Sequence, residues 1–161
     1  MSKHSLGQTH FNPGIRIDQT EKPFELEKAR CYYIFDVVPV GAVRMTKRDT
    51  IFTNPNHPDP KKRQREAVAK YFAFQNTLWK QYSDFKLALP DHFEIVFCVP
   101  MPSSWSDKKK ARFNRMPCKS KPDVDNYLKA FMDTIKIEDG SVWNCPTQKI
   151  YAYKGSIILF V

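Results

Sequence analysis

The segment at residues 93–99 reads Phe-Glu-Ile-Val-Phe-Cys-Val and is almost wholly apolar. A short strand of this kind is typical of the interior of a sheet, where both faces are covered. A β-branched and aromatic run at residues 31–40 predicts another strand. Two more are predicted at the end of the chain, at residues 148–153 and 156–161. Because glycine permits a tight turn, Gly155 between them predicts a C-terminal hairpin.

Two helices are expected between these strands. Apolar residues recur at helical spacing over about residues 61–83, and Asp59-Pro60 supplies an N-cap and a first-turn proline. Trp79 falls on this apolar stripe and is expected in the core. A second stripe predicts a helix over about residues 125–136. The order of elements predicts an α+β fold (an α/β sandwich) with one mixed sheet, two main helices and a C-terminal hairpin.

The composition indicates one domain with a basic surface. The chain has 161 residues, of which 42% are apolar, and its net charge is +9. This length suits one compact domain, which we place at residues 31–161 after a polar N-terminal extension at residues 1–30. The positive charge favours a polyanionic partner, of which nucleic acid is the usual example, although a basic protein without such a partner is the ordinary alternative.

Several kinds of site are excluded because their sequence patterns are missing. The four cysteines form no CxxC pair and the four histidines show no HxxH spacing, which argues against zinc sites and a disulfide scaffold. No glycine-rich phosphate-binding motif occurs, so no nucleotide cofactor is expected. With no secretory signal and no run of ~18 apolar residues, we expect no membrane association and a cytoplasmic location.

The positive charge is concentrated in residues 106–121, which hold seven basic residues and one acid. This segment has no apolar periodicity and is predicted to be a flexible loop. A solvated loop without a binding role is the ordinary alternative. Contact with DNA phosphates needs only charge and reach, so we predict that role for it, and for Arg44 in a second basic cluster. This second cluster consists of Arg44, Lys47, Arg48, Lys61, Lys62, Arg63 and Arg65. The loop residues concerned are Lys108, Lys109, Lys110, Arg112, Arg115, Lys119 and Lys121.

Acidic residues follow this segment at Asp123 and Asp125, and again at Glu138 and Asp139. An extended backbone would point Asp123 and Asp125 to the same side. In a continuous helix they would lie about 160–200° apart around the axis and could not share an ion. A shared metal ion therefore requires the helix to begin at or after Asp125. The structural alternative is an N-cap and an ion pair between Asp125 and Lys129.

The later acids come directly after the same helix, so the chain can fold them back toward the first pair. Carboxylates gathered without arginine partners repel one another unless a cation lies among them. Their hard oxygen atoms suit Mg²⁺ or Mn²⁺. The pattern therefore indicates a site for a divalent metal ion beside the most basic segment of the chain.

Residues 121–142 contain KPDVDNYLKA, then an acidic pair and a valine three residues after its second acid. This pattern resembles the signature of the RusA family of Holliday-junction resolvases. The resemblance is strong over residues 119–149 and looser over residues 31–48. Glu138 stands where the family often has a second aspartate. Asp133 matches the last aspartate of the helix motif, but it lies on the outer face and is given no catalytic role.

The resemblance implies roles for individual residues. The acids that would bind the metal are Asp123, Asp125, Asp139 and, beside them, Glu138. Three of these, Asp123, Asp125 and Asp139, would be essential for catalysis, together with the basic side chain of Lys129. Lys149 matches a lysine that the family places in the following strand, and we count it among the DNA-binding residues.

The function implied by the resemblance is a structure-selective endonuclease that resolves Holliday junctions in DNA recombination and repair. Its cofactor would be Mg²⁺ or Mn²⁺ and its partner branched, four-way DNA. Because two symmetry-related strands must be nicked, a homodimer is also implied. The expected setting is a bacterial cell or a phage-infected bacterium. The alternatives are a non-catalytic basic DNA-binding protein and a flap or single-strand endonuclease.

Overall fold

The computed structural model describes residues 31–135 and 139–161. Its strands are β1 (Tyr32–Phe35), β2 (Glu94–Pro100), β3 (Thr147–Ala152) and β4 (Ser156–Phe160). Its helices are α1 (Lys47–Ile51), α2 (Glu66–Asp84), α3 (Asp107–Phe113) and α4 (Val124–Ile135), with short 3₁₀ turns at Pro60–Lys62 and Asp139–Ser141. The four strands form one mixed sheet in the order β1-β4-β2-β3, which confirms the predicted α+β class. The predicted extension at residues 1–30 lies outside the described residues.

Strand β2 is interior because both of its faces are apolar. It pairs in parallel with β3 and antiparallel with β4. Ile95 and Phe97 are fully buried in the main core, whereas Val96 and Cys98 belong to a smaller cluster with Phe160. The apolar run at residues 93–99 therefore becomes a strand covered on both sides, as predicted.

The predicted C-terminal hairpin is wrong, because β3 and β4 lie on either side of β2 and do not pair with each other. Strand β2, which is apolar on both faces, is buried by taking the interior position between them. Gly155 lies in the connection and serves close packing. A Cβ atom at this position would lie 2.9 Å from the Cα atom of Val38.

Helices α2 and α4 pack on one face of the sheet and supply most of the core beneath it. The rings of Phe35 in β1 and Phe131 in α4 meet edge to face, with centroids 6.1 Å apart. Asp59 and Pro60 begin a separate 3₁₀ turn, and α2 starts only at Glu66. Trp79 was predicted in the core, but it is 44% exposed. The buried stripe of α2 is formed instead by Val68, Tyr71, Phe74 and Leu78.

The prediction of a flexible loop over residues 106–121 is wrong for its first half, which forms α3. Ser106 caps this helix, since its side chain accepts a hydrogen bond from the Lys109 amide. The ring of Trp105 packs on Phe113 and on Tyr151 of β3, at centroid distances of 5.1 and 5.3 Å. A helix of two turns is too short to show an apolar stripe, so periodicity did not reveal it.

The ends of the described domain meet beside β1 and β4. The amide of Val161 donates to the carbonyl oxygen of Cys31 at 2.9 Å. The four cysteines are all free thiols. In the part of the chain that the structure describes, every helix is too short or too polar to cross a bilayer.

Candidate active site

Asp123 and Asp125 lie at the start of α4, which begins at Val124. Asp123 precedes the helix, and its carbonyl oxygen accepts a hydrogen bond from the Tyr127 amide at 3.4 Å. Asp125 is in the first turn. A shared ion was predicted to require a helix that begins at or after Asp125. The observed helix begins one residue earlier, at Val124. Asp123 itself lies outside the helix. The angular separation of about 160–200° expected in a continuous helix therefore does not apply to the two acids.

Both carboxylates are exposed. Neither makes a hydrogen bond or an ion pair with any residue whose side chain the structure describes. The ion pair between Asp125 and Lys129 that was considered as a structural alternative is not formed. Instead, the ammonium of Lys129 lies 3.7 Å from a carboxylate oxygen of Asp133. The two acids at the start of α4 thus keep their oxygen atoms available.

Asp133 has a second neighbour in Tyr71 of α2, whose hydroxyl donates to it at 3.4 Å. Burial, and then the charge of Asp133, raise the pKa of Tyr71 to about 12. Tyr71 therefore stays protonated and remains a donor. Asp133 therefore links α2 to α4 and pairs with Lys129.

The segment that precedes α1 packs against Pro122 and Asn126, the residues that flank Asp123 and Asp125 in the chain. A Cβ atom on Gly41 would lie 2.7 Å from the Cγ atom of Pro122, so no larger residue fits without a shift. The amide of Ala42 donates to the carbonyl oxygen of Asn126 at 2.9 Å. These contacts hold the chain before Arg44 against the start of α4. Sequence reasoning missed Gly41, because nothing local marks its partner 81 positions away.

Lys149 of β3 reaches the residues just before Asp123. Its ammonium donates to the carbonyl oxygens of Ser120 and Pro122, in the second case at 2.7 Å. The backbone carbonyl of Lys149 also accepts from the Cys118 amide at 2.9 Å. Strand β3 therefore contacts the stretch at residues 118–122, which leads to Asp123, through both its backbone and the side chain of Lys149.

The remaining predicted acids are described only in part. Glu138 lies outside the described residues, and only the backbone of Asp139 is placed, in the 3₁₀ turn that follows α4. Among the side chains that the structure does describe, no group of three or more His, Cys, Asp or Glu could hold a metal ion. The donor chemistry nevertheless fits a divalent cation, because Asp123 and Asp125 offer exposed carboxylate oxygens without another described partner.

A family model described as Endodeoxyribonuclease RusA matches residues 36–156. The chain belongs to the RusA endodeoxyribonuclease family. It is therefore an endonuclease and a DNA-binding protein of the Holliday-junction resolvase type, with a role in DNA recombination. A search of curated proteins gives no match.

Within the residues that match the RusA model, an ion pair between buried Asp49 and half-buried Arg65 connects parts of the second basic cluster. Asp49 of α1 is buried and accepts two hydrogen bonds from the guanidinium of Arg65, at 2.7 and 2.6 Å. The amide and hydroxyl of Thr46 donate to the same carboxylate. Hydrogen bonds from Arg65, and then from Thr46, hold the pKa of Asp49 well below its ordinary value. Arg65 also donates to the carbonyl oxygen of Arg44 at 3.0 Å.

Sequence reasoning counted Arg65 only as one member of a basic cluster and missed Asp49. The available signal was the pattern Thr-x-x-Asp at residues 46–49, which forms a capping box at the start of α1. The pair fixes the backbone around Arg44, Lys47 and Arg48, whose own side chains are exposed. In this RusA-family chain the loop that carries Arg44 is thus tied to the start of α2 through Arg65.

The predicted DNA-binding residues of the first basic segment lie on α3 and on the chain that leads from it to Asp123. Lys110 is half-buried, and its ammonium lies 3.5 Å from the carbonyl oxygen of Ser103. The ammonium of Lys109 stacks on the ring of Trp105 at 4.2 Å. The exposed members are Lys108, Lys109, Arg112, Arg115, Lys119 and Lys121. Most of the RusA-family chain's predicted phosphate contacts are therefore open to solvent.

Proposed function

We propose that this RusA-family chain resolves Holliday junctions by paired, metal-dependent nicks during recombination and repair. The observation that supports this most directly is the pair of exposed carboxylates, Asp123 and Asp125, at the end of a strongly basic segment. We propose residues 31–161 as the nuclease domain. The setting we propose is the cytoplasm of a bacterial cell or of a phage-infected bacterium.

In this proposal the acids hold Mg²⁺ or Mn²⁺ through Asp123, Asp125 and Asp139, with Glu138 available beside them. A bound divalent cation would offset the negative charge of the phosphodiester and acidify water at the site. The first turn of α4 adds partial positive charge from its free amides, which favours an anionic phosphate near the same place.

Lys129 is the proposed catalytic cation. It lies one turn after Asp125 on α4, and its side chain is 61% exposed. An ammonium in this position would stabilise the negative charge that develops on the phosphoryl group or on the leaving 3′ oxygen. The products would carry 5′-phosphate and 3′-hydroxyl ends.

The basic residues are proposed to neutralise the phosphates of the junction arms. Such contacts fix the register of the protein on DNA without reading its sequence. The proposed residues are Arg44, Lys108, Lys109, Lys110, Arg112, Arg115, Lys119 and Lys121. A homodimer would bring two copies of the site to the two equivalent strands of the junction.

The proposal is tested by cutting assays on labelled four-way, flap, duplex and single-stranded DNA, each with Mg²⁺ and with EDTA. We expect paired nicks in the four-way junction only when Mg²⁺ is present. Asp123→Asn and Asp125→Asn should each lower cutting by roughly 100-fold or more while junction binding in EDTA persists. Faster cutting of flaps would favour a different nuclease class. Binding without Mg²⁺-dependent cutting would favour a non-catalytic DNA-binding protein.

A further inference from the structure

The ammonium of Lys149 donates two of its three hydrogens to backbone groups of the protein itself. It is half-buried on β3 and donates to the carbonyl oxygens of Ser120 and Pro122. Its nitrogen also lies 5.7 Å from the ring centroid of Tyr127, which is buried in α4. A side chain held by three neighbours in this way is poorly placed to move toward a DNA phosphate.

The two carbonyls belong to the stretch of backbone that β3 does not otherwise hold. Up to Cys118 the chain runs along the edge of β3, with hydrogen bonds such as that from the Tyr151 amide to the Met116 carbonyl at 2.9 Å. This pairing ends at Cys118. Beyond Cys118 the side chain of Lys149 makes the contacts instead. It binds the backbone of Ser120 and of Pro122, the residue that precedes Asp123.

We propose that Lys149 is a positioning residue that fixes the backbone of Ser120 and Pro122 and so places the carboxylate of Asp123. This inference rests on the proposed function of Asp123 as a metal-binding acid, and it replaces phosphate contact as the role of Lys149. Charge-assisted hydrogen bonds are stronger than neutral ones, which suits a lysine to holding two carbonyls at once. Gly41 packs on Pro122 from another segment, so the residue before Asp123 is held by two parts of the chain.

The neighbouring lysines provide a contrast. Lys119 and Lys121 are exposed, and neither makes a hydrogen bond or ion pair with the residues that the structure describes. They are free to meet DNA, whereas Lys149 is not. A phosphate contact and a positioning contact should therefore respond differently to the loss of the ammonium.

The test compares Lys149→Met with Lys119→Met, which represents a phosphate contact, and with Lys80→Met, an exposed lysine of α2 outside the site. Junction affinity is measured in EDTA over a range of salt concentrations, and cutting is measured in single turnover at saturating protein. For Lys149→Met we expect unchanged affinity and salt dependence, and cutting slowed about tenfold to 100-fold. For Lys119→Met we expect weaker binding and a salt slope reduced by about one. Lys80→Met should match the parent protein.

Two further measurements do not depend on cutting. The affinity for Mn²⁺, measured from the paramagnetic resonance signal of the free ion, should fall several-fold in Lys149→Met. Hydrogen exchange should become faster in peptides that cover residues 117–127 and stay unchanged in peptides from α2. Lys149→Gln serves as a second variant if Lys149→Met does not fold.

Unchanged cutting, or a fall in affinity with the salt dependence seen for Lys119→Met, would overturn the inference. Faster exchange throughout the sheet, or failure of both variants to fold, would also overturn it in favour of a general structural role. If the parent protein does not cut four-way junctions but Lys149→Met still weakens Mn²⁺ binding and loosens residues 117–127, the inference stands and the proposed function fails.

Discussion

The ammonium of Lys129 lies 3.7 Å from a carboxylate oxygen of Asp133, one turn further along α4. Asp125 lies one turn in the other direction, so Lys129 has an acid on each side at helical spacing. It pairs with the downstream acid, and the upstream one keeps its oxygen atoms exposed. The ion pair holds Lys129 on the same face as Asp125 without neutralising that acid.

Replacing Lys129 with alanine should therefore separate chemistry from stability. We expect single-turnover cutting of a four-way junction to fall roughly 100-fold to 1000-fold, because a cation near the developing charge is lost. The free energy of unfolding should change by less than about 1 kcal/mol, because exposed ion pairs contribute little. Asp133→Asn removes the same ion pair but keeps the ammonium and should retain cutting. Equal loss of cutting in the two variants would show that the ion pair, and not the ammonium, is what matters.

Gly41→Ala should disturb the position of Asp123 through a contact from a separate segment of the chain. The added methyl group would meet Pro122, and overpacking of this kind costs about 1–3 kcal/mol. Because Pro122 precedes Asp123, we expect cutting to fall about tenfold or more while binding in EDTA is kept. Urea denaturation and single-turnover assays measure the two effects.

Gly155→Ala is the matched control for this variant. Its methyl group would meet Val38 at a similarly short distance, away from the acids. We expect a comparable loss of stability with a normal cutting rate for the folded fraction. A similar loss of cutting in both variants would mean that Gly41 acts through stability alone.

Asp49→Asn should destabilise the protein in a pH-dependent way. The folded-state pKa of Asp49 lies well below the ordinary value of 3.8, because Arg65 and Thr46 donate hydrogen bonds to the carboxylate. Its contribution is therefore fully present above the unfolded pKa and is lost as pH falls through the lowered folded pKa. The difference in unfolding free energy between the parent protein and Asp49→Asn should be constant from about pH 5 to 8 and shrink below about pH 4. A constant difference down to pH 2 would contradict this assignment.

The charges of α3 are expected to act on binding alone. Lys108→Ala with Arg112→Ala removes two exposed cations from this helix. Junction affinity should weaken at low salt, and the slope of log affinity against log salt should fall by about two. Single-turnover cutting at saturating protein should stay within about twofold of the parent rate, because phosphate contacts of this kind position the DNA without taking part in the chemistry. An unchanged slope would remove α3 from the DNA-binding surface.

Features that a short stretch of chain decides were predictable from the sequence. The apolar run at residues 93–99 predicted an interior strand, and the apolar stripe predicted α4 to within a residue or two. The pattern around Asp123 and Asp125 pointed to the family that the model match confirms. The roles of Asp139 and Glu138 stay predictions, since their side chains lie outside the described set.

Features that depend on distant residues were not predictable. Which strand lies between β3 and β4 depends on competition for the interior of the sheet, so two strands joined by a glycine turn looked like a hairpin. Asp49 and Arg65 are 16 positions apart, and no local pattern pairs them. Lys149 was counted among the DNA-binding residues because it matches a lysine of the family pattern, and that pattern does not show the two carbonyls that it contacts.

The hydrogen bond between Val161 and Cys31 places the two ends of the folded core side by side. A linker of a few residues would join them, and a circular permutant with new ends opened near Lys86, in the exposed turn after α2, would keep every strand and helix intact. In such a permutant α4 and the acids would lie in the first half of the chain. The second basic cluster would lie in its second half. The order in which these parts leave the ribosome would be reversed, while the proposed DNA-binding surface stayed the same.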